Sequence, residues 1–116
     1  MNRKNTLINY IEFKAHNLEA IKTFYTSVFG WTFTDYGPTY TAFADSGIDG
    51  GFELTEEPIV KGALVVLYHK NLEEILLEVE KAGGKIVVPI FSFPGGRRFQ
   101  FLDPSGNELA IWSDPE

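Results

Sequence analysis

A chain of 116 residues has room for one packed core and not for two. With 44% hydrophobic and 22% charged residues it falls in the globular range, and it has no apolar run near the ~18–20 residues that a membrane span needs. The lack of cysteine excludes disulfides, thiolate metal sites and cysteine nucleophiles, while a net charge of −6 with scattered Lys and Arg argues against nucleic acid as a partner. The stretch MNRKNTLINY is basic but runs into alternation instead of a continuous apolar segment. No signal peptide is therefore expected, and a reducing cytoplasm is the expected compartment.

Residues 8–15, INYIEFKA, alternate: Ile11, Phe13 and Ala15 point one way, Tyr10, Glu12 and Lys14 the other. That period predicts a half-buried strand. Asn17 is a good N-cap, and Leu18, Ile21, Phe24, Tyr25 and Val28 then recur at helical spacing until Gly30 ends the helix. WTFTDY at 31–36, TYTAFAD at 39–45 and GFELT at 51–55 predict three strands, separated by GP at 37–38 and SGIDG at 46–50. The Gly50–Gly51 pair is expected to mark a turn or bulge ahead of the third of these. EEPIVKG at 56–62 is a polar connector.

The order then begins again. ALVVLYH at 63–69 predicts a strand, Asn71 a cap, and Leu72, Ile75, Leu76 and Val79 the buried stripe of a helix closed by Gly83 and Gly84. KIVVPIFSF at 85–93, RRFQFL at 97–102 and ELAIW at 108–112 predict strands joined by the turns FPGG and DPSGN. Pro89 cannot donate to a ladder, so the run that holds it belongs at a sheet edge or a bulge. NLEAI at 17–21 and NLEEI at 71–75 are thus the first turns of two equivalent helices. The reading is an α+β chain, a single domain over 1–116, built of two tandem βαβββ modules at about 7–55 and 63–112. Each module covers one face of its sheet with a helix. The open faces together are expected to form a curved mixed sheet with a concave cavity.

The helix FYTSVFGW after a short strand, a second helix ending in AGG, and DPSGN before a final strand, in that order over residues 7–113, resemble the vicinal oxygen chelate superfamily. That superfamily takes in glyoxalase I, extradiol dioxygenases and the bleomycin and fosfomycin resistance proteins. The resemblance implies one divalent metal held by four side chains, from the first and last strand of each module. Carried over by position, these are Tyr10, Glu53, Leu64 and Ala110. Leu and Ala offer no lone pair and a neutral phenol is a poor ligand, so one carboxylate remains where about three ligands are needed. A slip of two residues would add Glu12 and give two carboxylates. The expectation is a metal-free member without a cofactor.

By alternation Tyr10, Glu12, Glu53, Tyr68 and Trp112 share the concave side, while Ile11, Phe13, Phe52, Leu54 and Ile111 are expected under the helices. Glu12 and Glu53 read either as cavity carboxylates, a ligand anchor or acid/base pair, or as strand residues paired with Lys or Arg. Tyr10, Tyr68 and Trp112 suit a small-molecule pocket or simply fill the space between sheets. Arg97 and Arg98 follow a turn, where one could meet an anionic group at the cavity mouth. The expected function is sequestration of a small organic molecule by a glyoxalase- or bleomycin-resistance-like protein, with ligand residues Tyr10, Glu12, Glu53, Tyr68, Arg98 and Trp112. The alternative is a glyoxalase-type lyase or isomerase with Glu12 and Glu53 as its catalytic pair. A homodimer is compatible with either.

Overall fold

The structure, a computed structural model, describes Asn5 and residues 10–60 and 62–115. The first unit runs β1 (Tyr10–Ala15), α1 (Leu18–Phe29), β2 (Thr32–Asp35), β3 (Tyr40–Ala44) and β4 (Asp49–Leu54). The second runs β5 (Val65–Tyr68), α2 (Leu72–Lys81), β6 (Lys85–Phe93), β7 (Gly96–Leu102) and β8 (Glu108–Ser113). Residues 8 and 9 of the expected first strand lie outside the described residues. The strands form two four-stranded sheets, ordered β1-β4-β3-β2 and β5-β8-β7-β6. In each, the first and last strands of the unit pair parallel and the rest antiparallel. The repeat read from the two NLE copies is therefore a repeat of topology.

Both helices start as their sequences dictate. The side chain of Asn17 accepts from the Ala20 amide at 3.0 Å, and that of Asn71 from the Glu74 amide at 3.1 Å, each satisfying a donor the first turn leaves open. Gly30 ends α1 in the left-handed region at φ 75°, with its amide on the Thr26 carbonyl. Ile21, Phe24 and Tyr25 of α1 and Leu72, Ile75 and Val79 of α2 are buried against Phe43 and Phe52 of the first sheet and Phe99, Phe101, Leu109 and Ile111 of the second. Phe24 meets Phe101 at 6.2 Å, so the two units share one core.

Three local expectations change. Gly50 and Gly51 are ladder residues inside β4, not a turn. A Cβ on Gly50 would lie 2.2 Å from the Ile11 carbonyl oxygen, and the close approach of the strands is what requires glycine there. Leu54 is 37% exposed at the end of β4, in a surface recess it shares with Leu18 and Glu19 of the first turn of α1. Phe13 is only half-buried, stacked on Phe52 at 5.2 Å. Pro89 behaves as expected: β6 is an edge strand, and its register shifts between Val88 and Phe91.

The turn DPSGN does more than reverse the chain. The buried Asp103 carboxylate accepts from the Ser105 and Asn107 amides at 2.9 and 3.0 Å, from Asn107 Nδ2 at 3.0 Å and from the Tyr25 hydroxyl at 2.9 Å. Asn107 Nδ2 also donates to the Lys14 carbonyl at 2.8 Å, and the His16 amide donates to Ser105 Oγ at 3.0 Å. The turn thus clasps the β1–α1 junction of the other unit.

Burial pushes the Tyr25 phenol far above its ordinary range, with the Asp103 charge adding to the effect. Below about pH 10 the phenol keeps its proton folded or unfolded; above it, only the unfolded chain releases that proton. Stability is then expected to fall by about 1.4 kcal/mol per pH unit above pH 10 from this residue. Urea titrations at pH 8, 10 and 11 should show the loss, and Tyr25→Phe should remove about one proton's worth of the slope. An unchanged slope would contradict it.

Candidate ligand-binding site

On the open face of the first sheet the ladder brings together Tyr10, Glu12 and Lys14 of β1, Tyr40 of β3 and Glu53 of β4. Lys14 lies directly across from Glu53, and Tyr40 across from Glu53 on the other side. Gly51 carries no side chain, and the Tyr40 ring lies over it; a Cβ there would be 2.3 Å from the Tyr40 hydroxyl. From that position Tyr40 donates to Glu12 Oε1 at 3.1 Å and accepts from the Tyr10 hydroxyl at 2.6 Å. Lys14 hydrogen-bonds and ion-pairs with Glu53 and stands 3.8 Å from Glu12. The two carboxylates therefore share a cation instead of facing each other bare.

The charge states follow from these contacts. The hydrogen bond to Glu53 holds the Lys14 ammonium above its usual range; burial opposes it, and the charges of Glu53 and Glu12 add to the upward shift. Burial, then the hydrogen bonds with Tyr10 and Glu12, push the Tyr40 phenol well up. At neutral pH Lys14 is therefore a cation beside the carboxylates, and the Tyr40 hydroxyl keeps its proton and makes a poor base.

A cavity of about 650 Å³ opens at the seam between the two units. Glu12 and Lys14 form one wall, Ile59 and Leu64 of the connecting chain a second, and Gln100 and Glu108 a third. Gln100 donates to Glu108 at 2.6 Å. Of the residues expected at the site, Glu12 and Leu64 reach this cavity, and Glu53 touches it through Lys14. Tyr10 is turned towards Tyr40. Tyr68, Trp112 and Arg98 stand on the open face of the second sheet, outside the cavity lining. Arg97 and Arg98 stand in β7 just after the turn, as the run RRFQFL predicts, and alternation sends them to opposite faces. Arg97 holds Glu73 of α2 through bonds of 2.6 and 3.2 Å.

Lys14, Tyr40, Gln100 and the connecting chain escaped the sequence reading. Lys14 was placed on the right face of β1, but its partnership with Glu53 depends on a register between strands 39 residues apart. Tyr40 was legible only as a strand residue, because its reach over Gly51 is set by the β3–β4 pairing.

A divalent metal does not fit the positions that the resemblance implies. Ala110 is fully buried, Leu64 has no donor, Tyr10 is bonded to Tyr40, and Glu53 is engaged by Lys14. Among the described residues no three His, Asp or Glu side chains converge. The histidines serve the strand–helix junctions: His16 Nε2 meets the Glu57 carbonyl at 3.0 Å, and His69 Nδ1 accepts from the Asn71 amide at 3.0 Å.

Two βαβββ units with their helices on one side and open sheet faces on the other define the glyoxalase class of fold. The sequence profile of the Glyoxalase/Bleomycin resistance protein/Dioxygenase superfamily matches residues 7–111, and the chain belongs to that superfamily. A glyoxalase/bleomycin resistance protein/dioxygenase family enzyme from Burkholderia phytofirmans PsJN superposes with a TM-score of 0.80 at 15% identity, covering 91% of this chain and 97% of that one. The fosfomycin resistance protein FosX of Listeria monocytogenes gives 0.80 at 12% identity, over 95% and 94%. TnmS3, an antibiotic binding protein from Streptomyces sp. CB03234, gives 0.69 at 20% identity, over 97% and 99%. At such identities the likeness is one of fold. Among curated proteins, CFP32 of Mycobacterium bovis is 24% identical over 118 residues, taking in 90% of this chain but 44% of that protein. The chain thus spans less than half the length of this relative. Among the described residues no helix is long and apolar enough to cross a membrane.

Proposed function

We propose that the protein binds a small organic molecule in the cavity at the seam of its two units, without a metal, and sequesters it instead of turning it over. The observation that carries this reading is the cavity wall itself. The lining combines the polar Glu12 and Lys14 with the apolar Ile59 and Leu64, a mixture that suits one amphipathic guest. The antibiotic-binding neighbour in the same fold supports binding as an end in itself. An isomerase or lyase relying on Glu12 and Glu53 is less well supported, because Glu53 is engaged by Lys14 and Glu12 accepts from Tyr40.

Native mass spectrometry of the protein as purified, with elemental analysis after dialysis, tests this. The expected result is an organic adduct with metal far below stoichiometric. Leu64→Trp, which fills the cavity from a position already 38% exposed, should abolish the adduct and leave the fold intact. Near-stoichiometric metal, the lack of an adduct, or isomerisation of the methylglyoxal–glutathione hemithioacetal would overturn it. The same spectrum reports whether two chains pair.

A further inference from the structure

The seam cavity carries a pattern of charge and hydrogen bonding that narrows its guest to one chemical class; the inference rests on the binding function proposed above. Among the described residues three carboxylates line the cavity, Glu12 of β1, Glu57 of the connecting chain and Glu108 of β8, against the one ammonium of Lys14. They come from both units and from the chain between them, so only the packed seam sets them around one space.

The donors on the wall are largely committed. Lys14 is bonded to Glu53, which lies outside the lining. Asn107 Nδ2 donates to the Lys14 carbonyl and to Asp103, and Gln100 Nε2 donates to Glu108. Acceptors remain. Glu12 takes the Tyr40 hydroxyl on Oε1, while its Oε2 has Lys14 at 3.8 Å. The Glu57 carboxylate has no hydrogen bond or ion pair among the described residues. Its backbone is nonetheless held: the amide donates to Thr55 Oγ1 at 3.0 Å, and the carbonyl meets His16 Nε2 at 3.0 Å. Beside these acceptors the lining exposes apolar surface, with Val60 84% and Leu64 38% exposed.

We propose that the seam cavity selects a cationic amphiphile, an organic ammonium whose charged head lies at Glu12 and Glu57 and whose apolar body lies on Val60 and Leu64. An ammonium brings N–H donors to a wall that has acceptors to spare, and its charge is compensated as it leaves water. An organic acid would bring more acceptors and a like charge to the same wall, which excludes it. A cleft of one prevailing sign with apolar walls also raises the local concentration of the cation.

Three probes share one ring system and differ in charge: 2-naphthylmethylamine, 2-naphthylmethanol and 2-naphthoate. Calorimetry on the full chain at low salt gives their affinities. The amine should bind about tenfold more tightly than the alcohol, as two partly exposed ion pairs together provide, and the acid should bind more weakly than either. Added salt should narrow the gap between amine and alcohol. Glu12→Gln and Glu57→Gln, at unchanged Tm, should each weaken the amine severalfold and leave the alcohol as it was. The double variant should bring the amine to the level of the alcohol. Glu80→Gln removes the same charge from α2, outside the cavity, and should change none of the three. Leu64→Trp should abolish binding of the amine. If the alcohol or the acid binds as tightly as the amine and Leu64→Trp still abolishes binding, the charge selection is wrong and the cavity remains the binding site. If none of the three binds, or if Leu64→Trp leaves them bound, the cavity is not the site and both readings fall. A loss of amine affinity from Glu80→Gln equal to that from Glu57→Gln would also overturn the inference, because the net charge of −6 would then be what attracts the amine.

Discussion

Phe52→Ala is expected to cost about 3–5 kcal/mol of stability, the range for truncating a fully buried aromatic side chain. Phe52 is completely buried in the middle of β4. It packs on Phe13 and Tyr25, each at 5.2 Å, and on Phe43 at 5.7 Å. Those rings are themselves locked, Tyr25 against Trp31 at 4.7 Å and Trp31 against Phe43 at 4.7 Å. A layer of interlocked rings cannot collapse into the void, so both the transfer and the cavity contributions apply. Phe13→Ala should cost roughly half as much, because Phe13 is half-buried and borders the seam cavity, where water or a ligand already meets it. Urea titration of both variants decides the matter. A loss for Phe13→Ala that equals or exceeds that for Phe52→Ala would show that the first sheet packs differently.

Asp103→Ala should be comparably severe, at about 3 kcal/mol or more. The carboxylate is 4% exposed and accepts four hydrogen bonds. Its removal strands the Tyr25 hydroxyl and the Ser105 and Asn107 amides, and an orphaned buried donor costs about 1–3 kcal/mol. Burial raises the Asp103 pKa, while the bonds from Asn107, Tyr25 and Ser105 pull it back. Asp103→Asn should be intermediate, because the amide keeps one acceptor oxygen but turns an NH₂ towards donors. Since the turn also holds the Lys14 carbonyl and the His16 amide, hydrogen exchange at His16, Ser105 and Asn107 should accelerate together in Asp103→Ala. Protection at His16 that survived the substitution would mean the clasp does not join the units.

These two substitutions differ in how visible their sites are in the sequence. Phe52 is legible from strand alternation alone, as are Ile111 and the stripes of both helices. Asp103 reads only as the first residue of a turn, because its Tyr25 partner is 78 residues away. The same divide runs through the candidate site. Glu12 and Glu53 could be placed on one face by counting residues, but whether they faced each other or shared Lys14 was a matter of register. Leu54 shows the limit of counting: the period gives it the helix face, yet at the end of β4 it is 37% exposed.

What the sequence by itself determined is the local part of the protein. It set the two helices and their Asn17 and Asn71 caps, the Gly30 stop, the strand runs, the βαβββ repeat and the poverty of metal donors. Each rests on interactions within about four residues, or on the chemical identity of a side chain, and both are written in the order of the letters. Only the tertiary structure decided that Lys14 bridges the two glutamates, that Tyr40 crosses Gly51, and that DPSGN clasps the first unit. Each of these depends on which residues a ladder sets opposite one another. A shift of a single residue sends a side chain to the other face, and nothing local in the sequence distinguishes one register from the next until the whole core has packed.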